Sequence, residues 1–429
     1  MLGSGVTRRT VDRMSRLRHI AVDLTPLGPR GQNGGAGLVA TSLVREINAL
    51  EPDLRLTLLT AGASHDELSL LESPTVRRMC VVAEAGVAPR APNVVRGGSR
   101  RVLDRLAPAV RVALAAAYER ILTSRGRARL LRQLQPDLLF CPFTVPYFHD
   151  PTVPLVSVVY DLQHLVYPEF FTPQQRAFRQ QHIRQASARS ARLVAISDFV
   201  RQALLASVSL PPERVMTVHL GLLDADASPA APAPDPLGRL GLRPEGFVLY
   251  PANFWPHKNH VRLFEALRDF RARRPGVDLK LVCTGSPNAL MAELEQVARS
   301  VLPPQAVVFA GYLTRAELQG LLQGCRALVF PSLFEGFGMP VLEAMAIGKP
   351  VLCSNVTSLP EVAGDAAVYF DPLQPGQIAD ALVLLEDAPD RLAAQIERGR
   401  TRAARFGSGR DMAARYLDVF EQVVAERQS

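Results

Sequence analysis

Short apolar runs alternate along the chain with longer stretches in which apolar residues recur every three or four positions. The runs at residues 138–141, 155–159, 247–250 and 327–330 are bounded by polar or turn-forming residues, as expected for strands buried on both faces of a parallel sheet. Residues 261–270 carry the helical spacing that follows such a strand. Because strand and helix patterns alternate in both halves of the chain, we predict two doubly wound α/β domains that face one another.

Residues 327–351 show the most specific pattern, which is that of a strand, a loop, a helix and a second strand. Pro340 suits the first turn of a helix, and Gly348 suits its end. The loop therefore leads to a helix N-terminus, where free N–H groups and the positive end of the helix dipole attract an anion. Gly336 and Gly338 let the backbone approach that anion closely. We predict a phosphate site in this loop.

Two glutamates make the loop more specific than a generic phosphate site. Glu335 lies in the loop and Glu343 lies about one turn inside the helix, so both can face a ligand held at the helix end. A carboxylate beside a phosphate is favourable mainly where it accepts hydrogen bonds from hydroxyl groups. The combination predicts a sugar nucleotide, with Glu343 on the ribose and Glu335 on the transferred sugar. The alternative is a capped helix with two solvated acids.

These residues resemble a known family. Glu335 and Glu343, with seven residues between them in a segment that opens Phe334-Glu335-Gly336-Phe337-Gly338-Met339-Pro340, resemble the E-x7-E motif of the retaining glycosyltransferases of family 4. That family has the GT-B fold, in which two Rossmann-like domains face a central cleft. The resemblance implies that the second domain binds the nucleotide sugar and that the first domain binds the acceptor.

The donor-binding residues follow from the same resemblance. Lys258 matches the family's lysine that binds the donor diphosphate, but Asn253 stands where many members have an arginine. One phosphate-neutralising charge is therefore expected to be missing, and His257 is the candidate substitute. The predicted donor site comprises Asn253, His257, Lys258, Thr284, Gly285, Tyr312, Leu313, Gly336, Phe337, Gly338, Met339 and Glu343, with Glu335 and Lys258 as catalytic candidates.

Two acceptor-side candidates follow the apolar run 155–159. Asp161 and His164 lie just past this predicted strand, and the carboxyl ends of parallel strands line the ligand crevice. The segment resembles the family region that bears a histidine and an aspartate near the acceptor, although here Tyr160 precedes Asp161. His164 is the candidate catalytic histidine instead. A hydrogen-bonded structural histidine is the alternative.

A glycine-rich loop at residues 31–37 joins the apolar run 19–23 to a helical pattern, as at the opening of a Rossmann-like unit. The loop does not match G-x-G-x-x-G, and a simple tight turn is the alternative. In the family that the chain resembles, this loop approaches the donor phosphates and the acceptor. Gly34 and Gly35 are therefore candidates for that contact.

A chain of 429 residues exceeds what one hydrophobic core usually organises. An Ala/Pro-rich tract cannot build a core and is the predicted linker. It contains Asp224-Ala225-Asp226, a D-x-D triplet that holds a divalent metal in a different class of glycosyltransferase, but a proline-rich linker does not preorganise an octahedral metal site, so we expect no metal. The predicted organisation is a disordered basic N-terminus over residues 1–18, an acceptor domain over 19–222, the linker over 223–240, a nucleotide-sugar domain over 241–410 and a helix over 411–429 that crosses back to the first domain.

The excess of basic residues is concentrated in the segment Arg96–Arg132. It contains ten arginines against Asp104 and Glu119, a local excess as large as the net charge of +8 of the whole chain. Apolar residues recur in it at helical spacing, so an amphipathic basic region is predicted. It either attracts an anionic membrane or a phosphate-bearing acceptor, or forms a solvated arginine face. No recognition motif for nucleic acid accompanies the charge.

Five widely spaced cysteines among apolar residues predict buried thiols without disulfides or a metal site. No apolar run approaches the roughly 20 residues needed to span a bilayer, and the first residues lack the apolar core of a secretory signal. We expect a cytoplasmic protein, with peripheral binding at the inner face of the membrane as an option through the basic segment.

The sequence therefore predicts a retaining glycosyltransferase that uses no metal or other cofactor. The general likeness favours transfer of mannose or rhamnose to a glycan or lipid-linked acceptor in polysaccharide biosynthesis. The alternatives are a non-catalytic carbohydrate-binding scaffold of the same fold and another GT-B enzyme, such as a sugar-nucleotide epimerase. The motifs identify neither the base, the sugar, the acceptor nor the linkage.

Overall fold

The structure, a computed structural model, describes residues 17–29, 34–82, 124–223 and 235–428. Three predictions lie largely outside the described residues. These are the N-terminal segment 1–18, the basic segment Arg96–Arg132, and the Ala/Pro-rich linker with Asp224 and Asp226.

Two parallel sheets organise the described residues, which confirms the predicted α/β class. The first has seven strands in the order β3-β2-β1-β4-β5-β6-β7 and the second has six in the order β10-β9-β8-β11-β12-β13. The strands are β1 His19–Asp23, β2 Arg55–Ala61, β3 Val76–Val82, β4 Leu138–Cys141, β5 Leu155–Val159, β6 Arg192–Ala195, β7 Val215–Thr217, β8 Phe247–Pro251, β9 Lys280–Thr284, β10 Val307–Gly311, β11 Ala327–Phe330, β12 Val351–Ser354 and β13 Val368–Phe370.

We call β1–β7 with their helices the first lobe and β8–β13 with theirs the second lobe. The α-helices of the first lobe are Gly35–Leu50, Gly62–His65, residues 124–134, Gln163–Val166, Pro173–Arg189 and Asp198–Ser207. Those of the second lobe are Pro236–Arg239, His260–Arg273, Ala289–Val301, Arg315–Gly324, Met339–Ala346, Leu359–Ala363, Pro375–Asp387 and Pro389–Ala404, and Gly409–Gln428 is the last helix. Short 3-10 helices form at Glu67–Leu71, Pro168–Phe170, Pro212–Arg214 and Pro256–Lys258.

The strand order places the ligand crevice in each lobe. The order of connection reverses between β1 and β4 in the first sheet and between β8 and β11 in the second. In open parallel sheets, ligands bind outside the carboxyl ends of the strands at this switch point. Strands β1, β5 and β11 are buried along their whole length, because helices cover both faces of the sheets.

The chain crosses between the lobes at two places that lie side by side. The Leu222 N–H donates to the Gly407 carbonyl at 2.8 Å, and the Gly409 N–H donates to the Leu222 carbonyl at 2.7 Å. The last helix then returns to the first lobe. Tyr416 and Phe420 place their rings 5.6 and 4.9 Å from that of Phe140 in β4. Aromatic packing thus ties the end of the chain to the first sheet.

The cysteines differ in one respect from the prediction of buried thiols. Cys141, Cys283, Cys325 and Cys353 are buried, but Cys80 is exposed. Cys80 lies on β3, an edge strand that is covered only in part. Within the described ranges, none of the helices has the length and apolar character that crossing a bilayer requires.

Candidate functional site

A turn after β8 and a loop after β11 meet at the carboxyl end of the second sheet. Lys258 ends the 3-10 helix Pro256–Lys258, and Asn259 behind it adopts the left-handed conformation with φ 62°. The Asn259 side-chain amide donates to the carbonyls of Pro331 at 3.0 Å and Pro372 at 2.7 Å. Asparagine tolerates this backbone conformation, and its buried amide joins the lysine turn to the start of the glutamate loop.

This junction brings together two of the sequence-predicted residues. The Lys258 Nζ atom lies 2.6 Å from Glu335 Oε1, and the two side chains are only 14% and 13% exposed. The Tyr250 hydroxyl donates to the Lys258 carbonyl at 2.6 Å and lies 3.1 Å from the Ser332 hydroxyl oxygen. The lysine is thus held at its backbone and at its ammonium. A diphosphate placed beside Lys258 would compete with Glu335 for the same cation.

Hydroxyl groups from the next loop fix the backbone around Glu335. The Glu335 N–H donates to Thr357 Oγ1 at 3.1 Å, and the Ser358 hydroxyl lies 3.0 Å from the carbonyl oxygens of both Glu335 and Phe337. Gly338 then adopts a φ of 101° immediately before the helix Met339–Ala346. Glycine suits this position for two reasons. Other residues rarely adopt this positive φ, and an added Cβ would lie 2.6 Å from a Leu359 side-chain carbon. Thr357 and Ser358 carry no motif that sequence analysis identified.

Glu343 lies on the helix that follows this loop. Its Oε1 atom lies 3.4 Å from the Arg315 guanidinium. Burial raises the pKa of the Glu343 carboxyl, and the charge and hydrogen bond of Arg315 oppose that shift. Because Glu335 is paired as well, neither acid is the solvated surface carboxylate that the alternative interpretation required. Arg315 is a partner that sequence analysis did not identify.

The other donor-side candidates surround the ends of β8, β9 and β10. Asn253 accepts a hydrogen bond from the Ser286 N–H at 2.9 Å. Gly285 has a φ of 152°, and a Cβ there would lie 2.7 Å from the Ala252 carbonyl, so no larger residue fits. Thr284, at the end of β9, is buried. Of the two residues that follow β10, Tyr312 is exposed and Leu313 is half-buried.

His257 does not supply the positive charge for which the sequence analysis proposed it. Burial and, to a smaller extent, the nearby charges of Lys258 and Arg179 together lower the pKa of His257 to about 3. The imidazole is therefore neutral at pH 7. The carbonyl of His257 instead accepts a hydrogen bond from the Leu333 N–H at 2.8 Å, so the residue supports the loop before Glu335.

Asp161 is paired with a residue that sequence analysis missed. The Arg179 Nη1 atom lies 3.2 Å from Asp161 Oδ1, and the guanidinium carbon lies 4.7 Å from the centre of the Phe171 ring. The Arg179 side chain is 41% exposed, and its charge is felt at His257 in the other lobe. Arg179 lies on a helix rich in arginine and glutamine, which gave no specific signal in the sequence.

His164 has the surroundings of a structural histidine. It is 4% exposed, its Nε2 atom lies 3.3 Å from Gln180 Oε1, and its Nδ1 atom has no hydrogen-bond partner among the described residues. Burial lowers the pKa of His164, so the ring is neutral at pH 7. The catalytic role that sequence analysis considered for it stays a prediction.

The first lobe contacts the glutamate loop directly. A Cβ on Gly336 would lie 2.0 Å from the carbonyl oxygen of Tyr160, and the Ser197 hydroxyl donates to the Gly336 carbonyl at 2.7 Å. The Tyr160 hydroxyl donates to the Pro142 carbonyl at 3.0 Å, so this ring is anchored inside the first lobe. The residue that departs from the family pattern thus contacts the loop through its backbone.

The glycine loop of the first lobe faces the donor side of the second. Gly34 has a φ of 54°, and a Cβ built on it would lie 3.8 Å from the Asn253 amide nitrogen. Gly35 begins the helix Gly35–Leu50 and has no heavy atom within 4 Å of an added Cβ. Gly34, rather than Gly35, therefore lies at the contact between the lobes.

One group of potential metal ligands lies between the lobes. Within the ranges that the structure describes, Asp198, His219 and Glu361 have ligand atoms within 4.8 Å of one another. These oxygens already accept hydrogen bonds, because Thr217 donates to Asp198 at 2.6 Å and two backbone N–H groups donate to Glu361 at 2.7 and 2.8 Å. The group therefore needs no cation to be satisfied.

Comparisons with known proteins show which family and which relatives this chain is similar to. A family model described as glycosyl transferases group 1 matches residues 241–402. O-antigen chain mannosyltransferase B of Escherichia coli is 30% identical over 301 residues, which are 68% of this chain and 76% of that protein.

Solved structures show the same fold at lower identity. A glycosyltransferase from Rickettsia africae is 14% identical with a TM-score of 0.68, over 95% of this chain and 99% of that one. HepE of Anabaena, solved in complex with UDP-glucose, is 17% identical with a TM-score of 0.61, over 96% of this chain and 99% of that one. The predicted GT-B fold is confirmed.

Proposed function

This chain belongs to the glycosyl transferases of group 1, and we propose that it moves mannose from a nucleoside diphosphate sugar to a glycan or lipid-linked acceptor with retention of configuration. One observation supports the proposal above the others. Lys258 and Glu335 meet at 2.6 Å beside the start of the helix Met339–Ala346, in a cleft against which the first lobe packs at Gly336.

The second lobe would bind the leaving diphosphate. As the bond between the sugar C1 atom and the diphosphate oxygen breaks, negative charge develops on the phosphate. The Lys258 ammonium, the N–H groups after Gly336 and the positive end of the helix Met339–Ala346 are fixed donors beside that position. Such preorganised donors stabilise charge without a reorganisation cost. We therefore propose that the reaction uses no metal.

Glu335 would orient the sugar. In the unliganded pair it balances Lys258, and with the diphosphate on the lysine its carboxylate would accept hydrogen bonds from the sugar hydroxyls. It would also offset positive charge that develops at C1. We propose front-face transfer, in which the acceptor oxygen bonds to C1 from the side that the phosphate leaves. The acceptor proton passes to the departing phosphate oxygen.

The first lobe supplies the acceptor side. Asp161 and Arg179 form an ion pair of 3.2 Å just past β5, and the Arg179 charge is near enough to His257 of the second lobe to lower its pKa. The pair offers both a hydrogen-bond acceptor and a cation to an incoming hydroxyl or phosphate. The choice of mannose follows from the named activity of the Escherichia coli relative, O-antigen chain mannosyltransferase B.

A two-step experiment tests the proposal. Thermal shift of the purified protein with UDP, GDP, dTDP and ADP identifies the base, because a ligand that binds the native state raises the melting temperature. The matching nucleotide mannose, with a soluble mannose oligosaccharide and in the presence of EDTA, should then give a product with an α-linked added sugar.

Two results would contradict the proposal. Loss of all transfer in EDTA, restored by a divalent cation, would refute the metal-free mechanism. A product of inverted configuration would refute retention. Glu335→Gln serves as the inactive control and Glu397→Gln, at an exposed glutamate on the helix Pro389–Ala404, as the matched active one.

A further inference from the structure

A single carboxylate of the second lobe caps a helix of the first lobe. The Glu361 Oε1 atom accepts from the Asp198 N–H at 2.7 Å, and its Oε2 atom accepts from the Phe199 N–H at 2.8 Å. The His219 Nε2 atom, also in the first lobe, lies 2.7 Å from Oε1. Both oxygens of Glu361 are thus occupied by the opposite lobe.

This arrangement is favourable on electrostatic grounds. Asp198 and Phe199 begin the helix Asp198–Ser207, whose free N–H groups and positive dipole end attract an anion. Burial opposes ionisation of Glu361, but the hydrogen bonds from His219 and from the two amides outweigh it and lower the pKa of the carboxyl. Glu361 is therefore ionised at neutral pH and bound to the helix end.

The same helix end also holds the glutamate loop. Ser197 precedes the helix, and its hydroxyl oxygen accepts from the Val200 N–H at 3.1 Å while it donates to the Gly336 carbonyl at 2.7 Å. Gly336 follows Glu335 in the chain. One turn of the first lobe therefore sets the position of Glu361 and of the residue next to Glu335.

The link continues within the second lobe. Glu361 lies on the short helix Leu359–Ala363, and Ser358 just before it is hydrogen-bonded to the carbonyls of Glu335 and Phe337. The Arg402 guanidinium nitrogen Nη2 donates to the Glu361 carbonyl and anchors this helix to Pro389–Ala404. Movement of Glu361 toward the first lobe would therefore shift the glutamate loop through Ser358 and its hydrogen bonds to the carbonyls of Glu335 and Phe337.

We propose that Glu361 is a positioning residue that holds the two lobes closed and thereby sets Glu335 in register with the first lobe. The inference rests on the proposed function and adds to it the contact that closes the cleft. A closed cleft orients donor and acceptor and excludes water that would otherwise hydrolyse the donor. Both carboxylate oxygens of Glu361 are bonded to the first lobe, so its effect on the reaction would pass through Gly336 and Ser358.

Small-angle X-ray scattering tests the structural part without any need for catalysis. Wild-type protein, Glu361→Ala, Glu361→Gln and the control Glu397→Gln are measured with and without saturating GDP. We expect the GDP-bound wild type and control to share one radius of gyration and Glu361→Ala to have a larger one. Glu361→Gln keeps one oxygen that can accept a hydrogen bond from the helix N–H groups, so its radius of gyration should lie between those of wild type and Glu361→Ala. Equal radii for all four proteins would overturn the inference.

Kinetics test the consequence for the reaction. With nucleotide mannose and a mannose oligosaccharide, Glu361→Ala should lower kcat at least about tenfold, leave the donor KM nearly unchanged and raise the ratio of donor hydrolysis to transfer. A merely destabilised enzyme would lose donor hydrolysis and transfer in the same proportion. The ratio of hydrolysis to transfer therefore distinguishes lost positioning from lost stability. An unchanged ratio in Glu361→Ala would refute the positioning role.

The design separates failure of the inference from failure of the proposed function. If no mannose is transferred by wild type while the scattering difference appears, closure by Glu361 stands and the proposed sugar is wrong. If Glu361→Ala does not fold, two other variants replace it in both measurements. One is Glu361→Gln. The other is His219→Gln, which removes one hydrogen-bond partner of Glu361 and leaves its carboxylate in place. Wild-type scattering and wild-type ratios in both replacements would overturn the inference.

Discussion

Lys258 and Glu335, which lie 77 positions apart in the chain, form an ion pair of 2.6 Å in which both side chains are largely buried. The pair has no net charge, because Glu335 neutralises the Lys258 ammonium in the cleft. A buried charge without a partner is costly, which explains why the acid that contacts the sugar in the proposed reaction also covers the lysine before the donor binds.

Glu335→Gln should separate binding from catalysis. Removal of the carboxylate charge leaves the Lys258 ammonium free for a diphosphate, so we expect the affinity for GDP to stay equal or increase. Transfer should fall by about 100-fold or more, because charge at C1 is no longer balanced. Isothermal titration calorimetry and initial rates measure the two effects. Weakened GDP binding together with a normal transfer rate would contradict this account of the pair.

The coupling between Lys258 and Glu335 is measurable as stability. Lys258→Ala leaves Glu335 partly buried without its cation, and removing one partner of a buried pair costs roughly 3–5 kcal/mol. We expect a value near the lower end, because both side chains retain some exposure. The double variant Lys258→Ala/Glu335→Ala should be more stable than the sum of the single effects predicts by about 0.5–3 kcal/mol. Urea unfolding of wild type, the two single variants and the double variant gives the four free energies that are needed. If the two single effects on the free energy of unfolding simply add, the pair does not form in solution.

Gly336→Ala should block closure without disturbing either lobe. The backbone of Gly336 does not adopt a positive φ, so alanine is compatible with its own loop. A Cβ at this position would lie 2.0 Å from the Tyr160 carbonyl oxygen in the first lobe, which is too close for any relaxed contact. We expect a melting temperature close to that of wild type and loss of most transfer activity.

The control for Gly336→Ala is Gly276→Ala. Gly276 lies in the exposed turn before β9 and has no heavy atom within 4 Å of an added Cβ, so this variant should retain wild-type activity. Full activity of Gly336→Ala would mean that the lobes do not approach this closely during the reaction.

Asp23 provides a test of the buried electrostatics in the first lobe. It ends β1, and burial raises its pKa to about 6, although hydrogen bonds from Thr25 oppose the shift. In the unfolded chain an aspartate titrates near pH 4. A raised folded pKa adds stability that is fully present below pH 4 and is lost as the pH rises through 6.

The variant Asp23→Asn removes this titration. As the pH rises from 4 to 7, the free energy of unfolding of the variant should increase by roughly 3 kcal/mol relative to that of wild type, since each pKa unit corresponds to about 1.36 kcal/mol. Denaturant midpoints of both proteins across that range measure the difference. A difference that does not change with pH would show that folding does not raise the pKa of Asp23.

Local patterns in the sequence were sufficient for the framework of this protein. Apolar runs and helical spacing predicted two parallel-sheet lobes, because a strand buried on both faces and the helix that covers it each have a period that the chain displays directly. The glycines and proline around residues 334–340 likewise revealed the loop and helix N-terminus, since their backbone requirements are local.

Only the tertiary structure decided which groups meet and in what charge state. The pairing of Lys258 with Glu335, the partnership of Asp161 with Arg179 and the capping of a first-lobe helix by Glu361 all join residues from separate elements. The low pKa of His257 likewise arises only on folding, because its main cause is burial and because Arg179 of the first lobe adds to the effect. Sequence patterns report short-range geometry, whereas electrostatic partners depend on distances that folding alone creates.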